Sequence, residues 1–315
     1  MKIILPTELA NAIQPRLPDD LDTVWVDPDG NLDGDASNAE VYFNGFRLKQ
    51  TTLHRVLAAA PILRWQHSPS AGVNHILTPT FMERNIILTN SAGVYAIPIA
   101  EFVLAFILNH AKQLSKLRSL QAQSQWRWEV EVQELNDTKL LIIGAGSIGQ
   151  AIALRASAFG MRVWGSRRSP QPLPGFERVV GVDEWRSLLP EADYVVVATP
   201  LTPDTKGMID AAVLRSMQSS AYLINIARGA IVDEAALLLA LKEGWIAGAG
   251  LDTFSTEPLP PDSEFWSLPN VFITPHCSAA TPQTIQRIVD LFFDNLTRYR
   301  QGQPLKNLVD KQAGY

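Results

Sequence analysis

The feature that most constrains this chain is a glycine-rich turn that directly follows a run of apolar residues. The apolar run, Lys139 to Ile143, has the length of a β-strand, and residues 144–149 after it read Gly-Ala-Gly-Ser-Ile-Gly. The segment that follows, to about Phe159, has the pattern of a helix. A strand, a G-x-G-x-x-G turn and a helix in this order begin a βαβ unit that holds a dinucleotide.

Each glycine of this turn has its own physical reason in such a unit. Gly144 permits the tight turn, Gly146 allows the backbone to approach a pyrophosphate, and Gly149 lets the helix pack closely on the strand. Ser147 and Ile148 open the helix, where backbone N–H groups favour an anion. The alternative is that the glycines serve turn geometry alone.

The end of the next strand distinguishes the two nicotinamide dinucleotides. About 20 residues after the turn, an acidic side chain would bind the free ribose 2′-hydroxyl of NAD(H). The chain has Ser166, Arg167 and Arg168 there instead. A guanidinium binds phosphate with two parallel N–H groups, so these residues favour the 2′-phosphate of NADP(H). We expect NADP(H) as the preferred cofactor and NAD(H) as the second choice; the alternative is that both arginines are merely solvated.

Strands and helices alternate along the whole chain, which predicts parallel strands joined by helical crossovers. In the second half most predicted strands are apolar throughout, as in a sheet buried on both faces. A helical stretch from Pro98 to about Gln123 lies between the halves, and Pro282 to Tyr299 has the pattern of an amphipathic helix. The fold class is therefore α/β, with a doubly wound second half. The predicted strands are Lys2-Leu5, Thr23-Val26, Glu40-Phe43, Leu63-Gln66, Ile86-Thr89, Lys139-Ile143, Arg162-Trp164, Tyr194-Ala198, Ala221-Ile226, Ile246-Leu251 and Val271-Thr274.

Composition narrows the class of protein. With 315 residues, 46% of them hydrophobic, the chain has the size of two globular domains. The 27 basic and 32 acidic side chains give a net charge of −5, so a nucleic-acid partner is not expected. A single cysteine, Cys277, excludes an intrachain disulfide and a cysteine-cluster metal site. The longest apolar stretch is shorter than the roughly 18 residues of a membrane helix, and we expect a cytoplasmic protein with neither membrane contact nor metal.

Polar residues stand where the predicted strands of the second half end. Thr199, Arg228, Asp252 and His276 each follow a different apolar strand. In an open parallel sheet the carboxyl ends of the strands meet at one edge, and ligands bind there. Packing alone explains poorly why four polar residues gather at the edge that also carries a dinucleotide motif.

Five segments of this half carry a resemblance to a known family. They read GAGSIGQ, TPLTPDT, LINIARGAIVDEAALLLAL, GLDTFSTEPLP and ITPHCSAAT. The chain resembles the D-isomer-specific 2-hydroxyacid dehydrogenases over nearly its whole length, and among them the glyoxylate/hydroxypyruvate reductases. The resemblance implies a Rossmann-type cofactor domain, residues 96–282, inserted in a flavodoxin-like substrate domain, residues 1–95 plus 283–315. It also implies a homodimer.

The resemblance implies a catalytic set of Arg228, Glu257 and His276. His276 would give a proton to the developing alkoxide, and Glu257 would bond its other ring nitrogen and favour the protonated ring. Arg228 would hold the substrate carboxylate and polarise the carbonyl. The backbone amides of Ala71 and Gly72 would also receive that carboxylate.

The family's cofactor contacts carry over to matching positions in the same way. Thr199 and Pro200 would pack on the adenosine side, and Asp252 would orient the nicotinamide amide. The full set implied for the cofactor is Gly144, Gly146, Ser147, Ile148, Gly149, Ser166, Arg167, Arg168, Thr199, Pro200, Ile226, Ala227, Asp252, His276, Ser278 and Ala279.

The resulting hypothesis is an NADPH-preferring reductase that converts small 2-oxo acids, of the glyoxylate and hydroxypyruvate type, to D-2-hydroxy acids. The alternatives are a phosphite or other D-2-hydroxyacid dehydrogenase, and a corepressor-like module that senses a dinucleotide without catalysis. Three residues keep two readings each. Trp126 and Trp128 suit either an interface or the partner's substrate site, and His67 suits either core packing or a place beside the substrate.

Overall fold

A computed structural model describes residues 1–46, 48–312 and 314 of the chain. The strands are β1 Lys2–Pro6, β2 Asp22–Val26, β3 Ala39–Phe43, β4 Trp65–His67, β5 Ile87–Thr89, β6 Lys139–Ile143, β7 Arg162–Ser166, β8 Arg178–Val180, β9 Tyr194–Val197, β10 Tyr222–Asn225, β11 Gly248–Leu251 and β12 Val271–Ile273. The helices are α1 Ala10–Ile13, α2 Gln50–Ala59, α3 Pro79–Met82, α4 Ala96–Ala111, α5 Leu114–Ala122, α6 Ser147–Ala158, α7 Ala211–Ser216, α8 Glu234–Glu243 and α9 Pro282–Arg300.

The chain divides into two compact units. Unit 1 comprises Met1–Tyr95 and Thr281–Tyr315, and unit 2 comprises Ala96–Ala280. The predicted assignment of unit 1 to the substrate stays a prediction.

Unit 1 contains a five-stranded parallel sheet in the order β2-β1-β3-β4-β5. This is the flavodoxin-like order, in which the chain crosses over the first strand on its way to the third. Helix α9 covers one face, where Phe292 stacks on Phe43 with ring centroids 4.4 Å apart and on Trp65 at 5.6 Å. Thr281 caps this helix by accepting the N–H of Thr284 at 3.1 Å.

Unit 2 contains a seven-stranded parallel sheet in the order β12-β11-β10-β9-β6-β7-β8. This is the doubly wound arrangement of dinucleotide-binding folds, and the strand order reverses between β6 and β9. Most of its strands are buried on both faces, as their continuous apolar sequences predict. The α/β fold class with a Rossmann-type cofactor domain is therefore confirmed.

Two details differ from the sequence-based prediction. The helix expected from Pro98 to Gln123 is broken into α4 and α5, because Gln113 takes a left-handed conformation with a φ of 54°. The side-chain oxygen of Asn109 accepts the N–H of Ser115 at 3.1 Å across this turn. The apolar spacing continues through the break without glycine or proline, so the sequence gives no sign of it. The short edge strand β8 was also not predicted.

Candidate active site

Three of the four polar residues predicted at strand ends follow three neighbouring strands of unit 2. Strands β10, β11 and β12 are parallel, with Asn225 paired to Leu251 and Leu251 to Ile273. When neighbouring parallel strands end at the same level, the segments that follow them lie at the same edge of the sheet. These three segments carry Arg228, Asp252, Glu257 and His276.

A buried asparagine shapes the turn that carries Arg228. Asn225 is 1% exposed; its side-chain oxygen accepts the N–H of Ala227 at 3.0 Å, and its Nδ2 donates to the carbonyl of Arg228 at 3.0 Å. The Arg228 side chain is exposed, and its Nη1 donates to the Ala227 carbonyl at 2.7 Å. The other N–H groups of the guanidinium are available to an anionic ligand.

A close backbone contact joins this turn to the segment after β11. A Cβ atom on Gly229 would lie 1.9 Å from the carbonyl carbon of Phe254 and 2.1 Å from the nitrogen of Ser255. No side chain fits in that space, so only glycine allows this contact. Arg228 is thereby held next to the segment that carries Glu257.

Glu257 and His276 form a hydrogen-bonded pair. Glu257 Oε2 lies 2.8 Å from His276 Nδ1, and Glu257 Oε1 accepts the N–H of Phe254 at 3.0 Å. The two side chains are 37% and 46% exposed, so a ligand can reach the ring. A carboxylate at Nδ1 requires a proton on that nitrogen, which leaves Nε2 to exchange a proton with a ligand.

Asp252 supports the turn on which His276 stands. Its carboxylate is 1% exposed: Oδ1 accepts the Thr274 hydroxyl at 2.5 Å and the N–H of Cys277 at 3.0 Å, and Oδ2 accepts the N–H of Ser278 at 3.2 Å. His276 lies between these contacts with a left-handed φ of 52°, a conformation that costs free energy in a non-glycine residue. Asp252 therefore fixes the backbone around the histidine, and its predicted contact with nicotinamide stays a prediction.

The glycine turn fits a dinucleotide. Gly144 has a φ of +110°, and a Cβ there would lie 2.6 Å from the carbonyl oxygen of Ala198 at the end of β9. Around Gly146, by contrast, no atom of the described residues other than its two chain neighbours lies within 4 Å of where a Cβ would stand. Helix α6 begins at Ser147 without a side-chain cap, so its first N–H groups are open to a phosphate. Among its first residues are Ser147 and Ile148, as predicted for the pyrophosphate.

The arginines predicted for the 2′-phosphate follow β7, next to this turn. The carbonyl of Ser166 accepts the N–H groups of Gly144 at 3.2 Å and Ala145 at 2.8 Å. Ser166 is buried, Arg167 is half-buried and Arg168 is exposed. Arg167 and Arg168 therefore lie directly after the point at which the end of β7 contacts the glycine turn. Such folds bind the adenosine ribose at this position.

The remaining residues predicted for the cofactor also lie at strand ends of unit 2. Thr199 and Pro200 follow β9, and Ala198 donates its N–H to the carbonyl of Ile143 at 2.8 Å, beside the glycine turn. Ile226 and Ala227 follow β10 and are buried. Ser278 is buried and Ala279 half-buried in the segment after β12.

The predicted substrate amides belong to unit 1. Ala71 and Gly72 are half-buried in the loop after β4. His67, at the end of β4, is fully buried; its Nδ1 lies 2.7 Å from the hydroxyl of Thr89, and burial lowers its pKa to about 3. Of the two readings of His67, the structure therefore favours core packing.

Other residues that the sequence left open are also placed. Trp126 and Trp128 are 81% and 83% exposed in unit 2, with ring centroids 5.6 Å apart. Burial and the nearby Asp252 raise the pKa of the Cys277 thiol, so it is a poor nucleophile.

The described residues contain no group of three or more histidine, cysteine, aspartate or glutamate side chains placed to hold a metal ion. None of the helices they form is long and apolar enough to cross a membrane.

Two supporting residues were missed by the sequence reasoning, Asn225 and Thr274. Asn225 ends an otherwise apolar strand and is 1% exposed, and that isolated polar residue was the available signal. Thr274 gave no signal, because its bond to Asp252 joins residues 22 positions apart.

The arrangement combines four chemical elements at one edge of the sheet. It has a helix N-terminus for a pyrophosphate, an exposed guanidinium for an anion, a carboxylate–imidazole pair for proton transfer and a buried carboxylate that supports the imidazole. Proton transfer next to a nicotinamide dinucleotide is the chemistry of carbonyl reduction and alcohol oxidation.

Comparison with known proteins agrees with this geometry. Residues 104–278 match the family described as D-isomer specific 2-hydroxyacid dehydrogenase, NAD binding domain. A glyoxylate reductase of Thermococcus kodakarensis is 38% identical over 270 residues, which cover 82% of this chain and 80% of the relative. One of Korarchaeum cryptofilum is 36% identical over 267 residues, with 82% and 79% covered.

Solved structures give the same answer. An NADPH-dependent glyoxylate/hydroxypyruvate reductase from Sinorhizobium meliloti, solved with NADP and sulfate, has a TM-score of 0.86 at 28% identity and covers 100% of this chain and 99% of its own. A D-isomer specific 2-hydroxyacid dehydrogenase from Xanthobacter autotrophicus, solved with NADPH and MES, has a TM-score of 0.86 at 29% identity with the same coverage.

Proposed function

Because the chain belongs to the D-isomer-specific 2-hydroxyacid dehydrogenases, a family of NAD(P)-dependent oxidoreductases, we propose that it reduces small 2-oxo acids to D-2-hydroxy acids with NADPH. Glyoxylate and hydroxypyruvate are the proposed substrates, since relatives that act on them match most of the chain. The observation that carries the proposal is the Glu257–His276 pair, which follows two strands of the dinucleotide-binding sheet.

His276 supplies the proton in this mechanism. Its Nδ1–H donates to Glu257 Oε2 at 2.8 Å, so Nε2 of the imidazolium gives its proton to the substrate oxygen as the carbonyl double bond is lost. The negative charge of Glu257 stabilises the imidazolium before the transfer. In the oxidative direction the neutral ring takes the proton back.

Arg228 binds the substrate carboxylate through the N–H groups that it does not use on Ala227. The amides of Ala71 and Gly72 are proposed as further donors to the same carboxylate. Asn225 holds the turn that carries Arg228 through its bonds to Ala227 and Arg228.

When bound, the nicotinamide ring supplies the hydride that the carbonyl carbon accepts. The residues proposed to hold the dinucleotide are the glycine turn with Ser147 and Ile148, and the predicted cofactor residues that follow β7, β9, β10, β11 and β12. The positions of Arg167 and Arg168 after β7 favour NADPH, because only that cofactor carries a 2′-phosphate for a guanidinium.

Steady-state kinetics tests the substrate and the cofactor together. We would measure kcat/KM for glyoxylate, hydroxypyruvate, pyruvate and phenylpyruvate with NADPH and with NADH, and oxidation of phosphite in reverse. A preference for NADPH and for a short 2-oxo acid supports the proposal. No turnover by a protein that still binds NADPH contradicts it and favours a sensing module.

A double variant tests the cofactor contact separately. Replacing Arg167 and Arg168 by Ala is expected to raise KM for NADPH about tenfold or more and to change KM for NADH less than about twofold. Arg178→Ala, at the amino end of β8, is the matched control in the same sheet. Equal changes for both cofactors would disprove the contact with the 2′-phosphate.

The protein is also proposed to form a homodimer. Two tryptophans more than 80% exposed, Trp126 and Trp128, are unusual on a monomer surface and common at interfaces. Sedimentation velocity of the wild type and of Trp126→Ser/Trp128→Ser tests this, and a monomeric wild type would disprove it.

A further inference from the structure

The loop after β4 is held by a series of contacts along one side. The carbonyl of Ser68 accepts the hydroxyl of Ser91 at 3.0 Å, and the carbonyl of Ser70 accepts the N–H of Ser91 at 3.2 Å. The hydroxyl of Tyr95 donates to the carbonyl of Pro69. Four successive carbonyls are therefore bound by the segment after β5, because the fourth, that of Ala71, accepts Nδ2 of Asn90 at 2.7 Å.

These carbonyl contacts determine where the loop amides point. A trans peptide group is planar, and its N–H points opposite to its C=O. The bond to the Ser70 carbonyl therefore directs the Ala71 N–H away from Ser91, and the bond from Asn90 to the Ala71 carbonyl directs the Gly72 N–H away from Asn90.

The two amides directed in this way are unused within the protein. Within residues 1–46, 48–312 and 314, neither the Ala71 nor the Gly72 N–H has an acceptor. Both residues are half-buried. Two adjacent N–H groups without acceptors, both directed away from the segment after β5, can together bind an anion.

Asn90 is itself held in place. It is 6% exposed, and its Oδ1 accepts the N–H of Ala92 at 3.1 Å. From the C-terminal segment, the Asn307 carbonyl accepts the Asn90 N–H at 3.1 Å, and Asn307 Nδ2 donates to the carbonyls of Asn90 at 3.1 Å and Ala92 at 2.8 Å. The Asn90 amide therefore has one orientation, with Nδ2 directed at the Ala71 carbonyl.

We propose that Asn90 is a positioning residue for substrate binding: its side chain fixes the Ala71–Gly72 peptide so that the Gly72 N–H faces a bound carboxylate, and Asn307 holds Asn90. The identity of the carboxylate rests on the proposed function, whereas the fixed peptide does not. Glycine at position 72 makes this support necessary, because a peptide group next to glycine rotates more easily than most.

The test compares Asn90→Ala with the wild type. KM for glyoxylate and the Kd of oxalate, an unreactive carboxylate analogue, are expected to rise about tenfold or more, because one of the amide donors is no longer held in place. We expect kcat to stay within about threefold, since the hydrogen bonds of Asn90 lie within unit 1 whereas the Glu257–His276 pair and Arg228 belong to unit 2, and the Kd of NADPH to stay unchanged. A merely structural role would lower thermal stability without this division between KM and kcat.

Two further variants keep the test decisive if Asn90→Ala folds poorly. Asn90→Asp retains the acceptor for Ala92 but not the donor to Ala71, and is expected to raise KM in the same way. Asn307→Ala removes only the outer support, and a smaller rise is expected. Asn270→Ala is the matched control, since Nδ2 of Asn270 also donates to backbone carbonyls, those of Leu241 and Ala247, within unit 2.

Hydrogen exchange separates failure of this inference from failure of the proposed function. Exchange of the amides of residues 68–74 is expected to become faster in Asn90→Ala than in the wild type, whether or not any 2-oxo acid is turned over. Unchanged exchange in the loop, or an unchanged KM in a folded variant, overturns the inference. Absence of turnover in the wild type, with faster exchange in the variant, would instead refute the substrate.

Discussion

Two histidines stand at corresponding places in the two sheets, and their surroundings are opposite. His67 is the last residue of β4 in unit 1, and His276 lies three residues after β12 in unit 2. Each therefore occupies the carboxyl end of a parallel strand, the edge at which α/β proteins bind ligands.

The ring of His67 meets only neutral groups. Its nitrogens lie 2.7 Å from the Thr89 hydroxyl and 3.4 Å from that of Ser91, and the rings of Phe43 and Phe292 pack around it at 5.1 and 5.8 Å. Burial lowers its pKa to about 3, so the ring is neutral at ordinary pH. A histidine in this state contributes packing and hydrogen bonds but carries no proton for catalysis.

The ring of His276 meets a carboxylate and solvent. Glu257 bonds one nitrogen, and nearly half of the side chain is exposed. Position at the sheet edge is therefore not sufficient for the proposed catalytic role, which also depends on the charge of the neighbouring groups and on the access of a ligand.

The largest effect is expected from removing the exposed ring. His276→Ala is expected to lower kcat for glyoxylate by about 10³-fold or more, because the variant has no side chain at this position that can donate a proton. The Kd of NADPH, followed by fluorescence, should change little. His54→Ala, on the exposed face of α2, is the control that should keep full activity. Activity of His276→Ala near that of the wild type would disprove the proton-transfer role.

The next effect concerns the charge that distinguishes the two rings. Glu257→Gln retains a hydrogen-bond acceptor but removes the negative charge, and kcat is expected to fall about 10²-fold. Steady-state kinetics measures this fall, and a kcat close to that of the wild type would show that Glu257 acts only by shape.

A smaller effect is expected from the carboxylate beneath the histidine. Asp252→Asn cannot accept all three bonds from Thr274, Cys277 and Ser278, so kcat is expected to fall about 10- to 100-fold, as for a buried donor left unpaired. The same change removes a charge that raises the Cys277 pKa, so iodoacetamide should alkylate this sole cysteine faster at pH 8. A lower kcat with an unchanged rate of alkylation would contradict the proposed contact between Asp252 and the segment that carries His276 and Cys277.

The sequence predicts the fold class and the strand ends well for a physical reason. Apolar runs of four to six residues between helical segments are local signals, and they locate Arg228, Asp252 and His276 at one edge before any contact is known. The glycines after β6 and the arginines after β7 are likewise signals that neighbouring residues in the sequence carry on their own. The roles given to these residues remain predictions.

Contacts between distant parts of the chain could not be predicted in this way. Asn307 and Asn90 are 217 residues apart, and Asn90 is 19 residues from Ala71. The break at Gln113 depends on a side-chain contact across the turn rather than on a breaking residue. The neutral state of His67 likewise depends on Phe292, which comes from the far end of the chain.

The smallest expected effect concerns the buried ring of His67 and is a change in how stability depends on pH. In the unfolded chain the pKa of His67 takes its ordinary value of 6.5, whereas in the folded chain it is about 3. Between these values the unfolded state binds more protons, so the contribution of His67 to stability is complete above pH 6.5 and is lost as the pH falls towards 3. The expected slope is about 1.4 kcal/mol of unfolding free energy per pH unit.

His67→Gln, which does not titrate, is therefore expected to flatten the decline of stability between pH 6.5 and pH 4.5 by about that slope. Urea unfolding of the wild type, His67→Gln and the exposed control His54→Gln at several pH values measures it. Equal pH dependence in the wild type and His67→Gln would mean that folding does not lower the pKa of this ring. The contrast between the two histidines would then rest on Glu257 alone, because burial would no longer distinguish them.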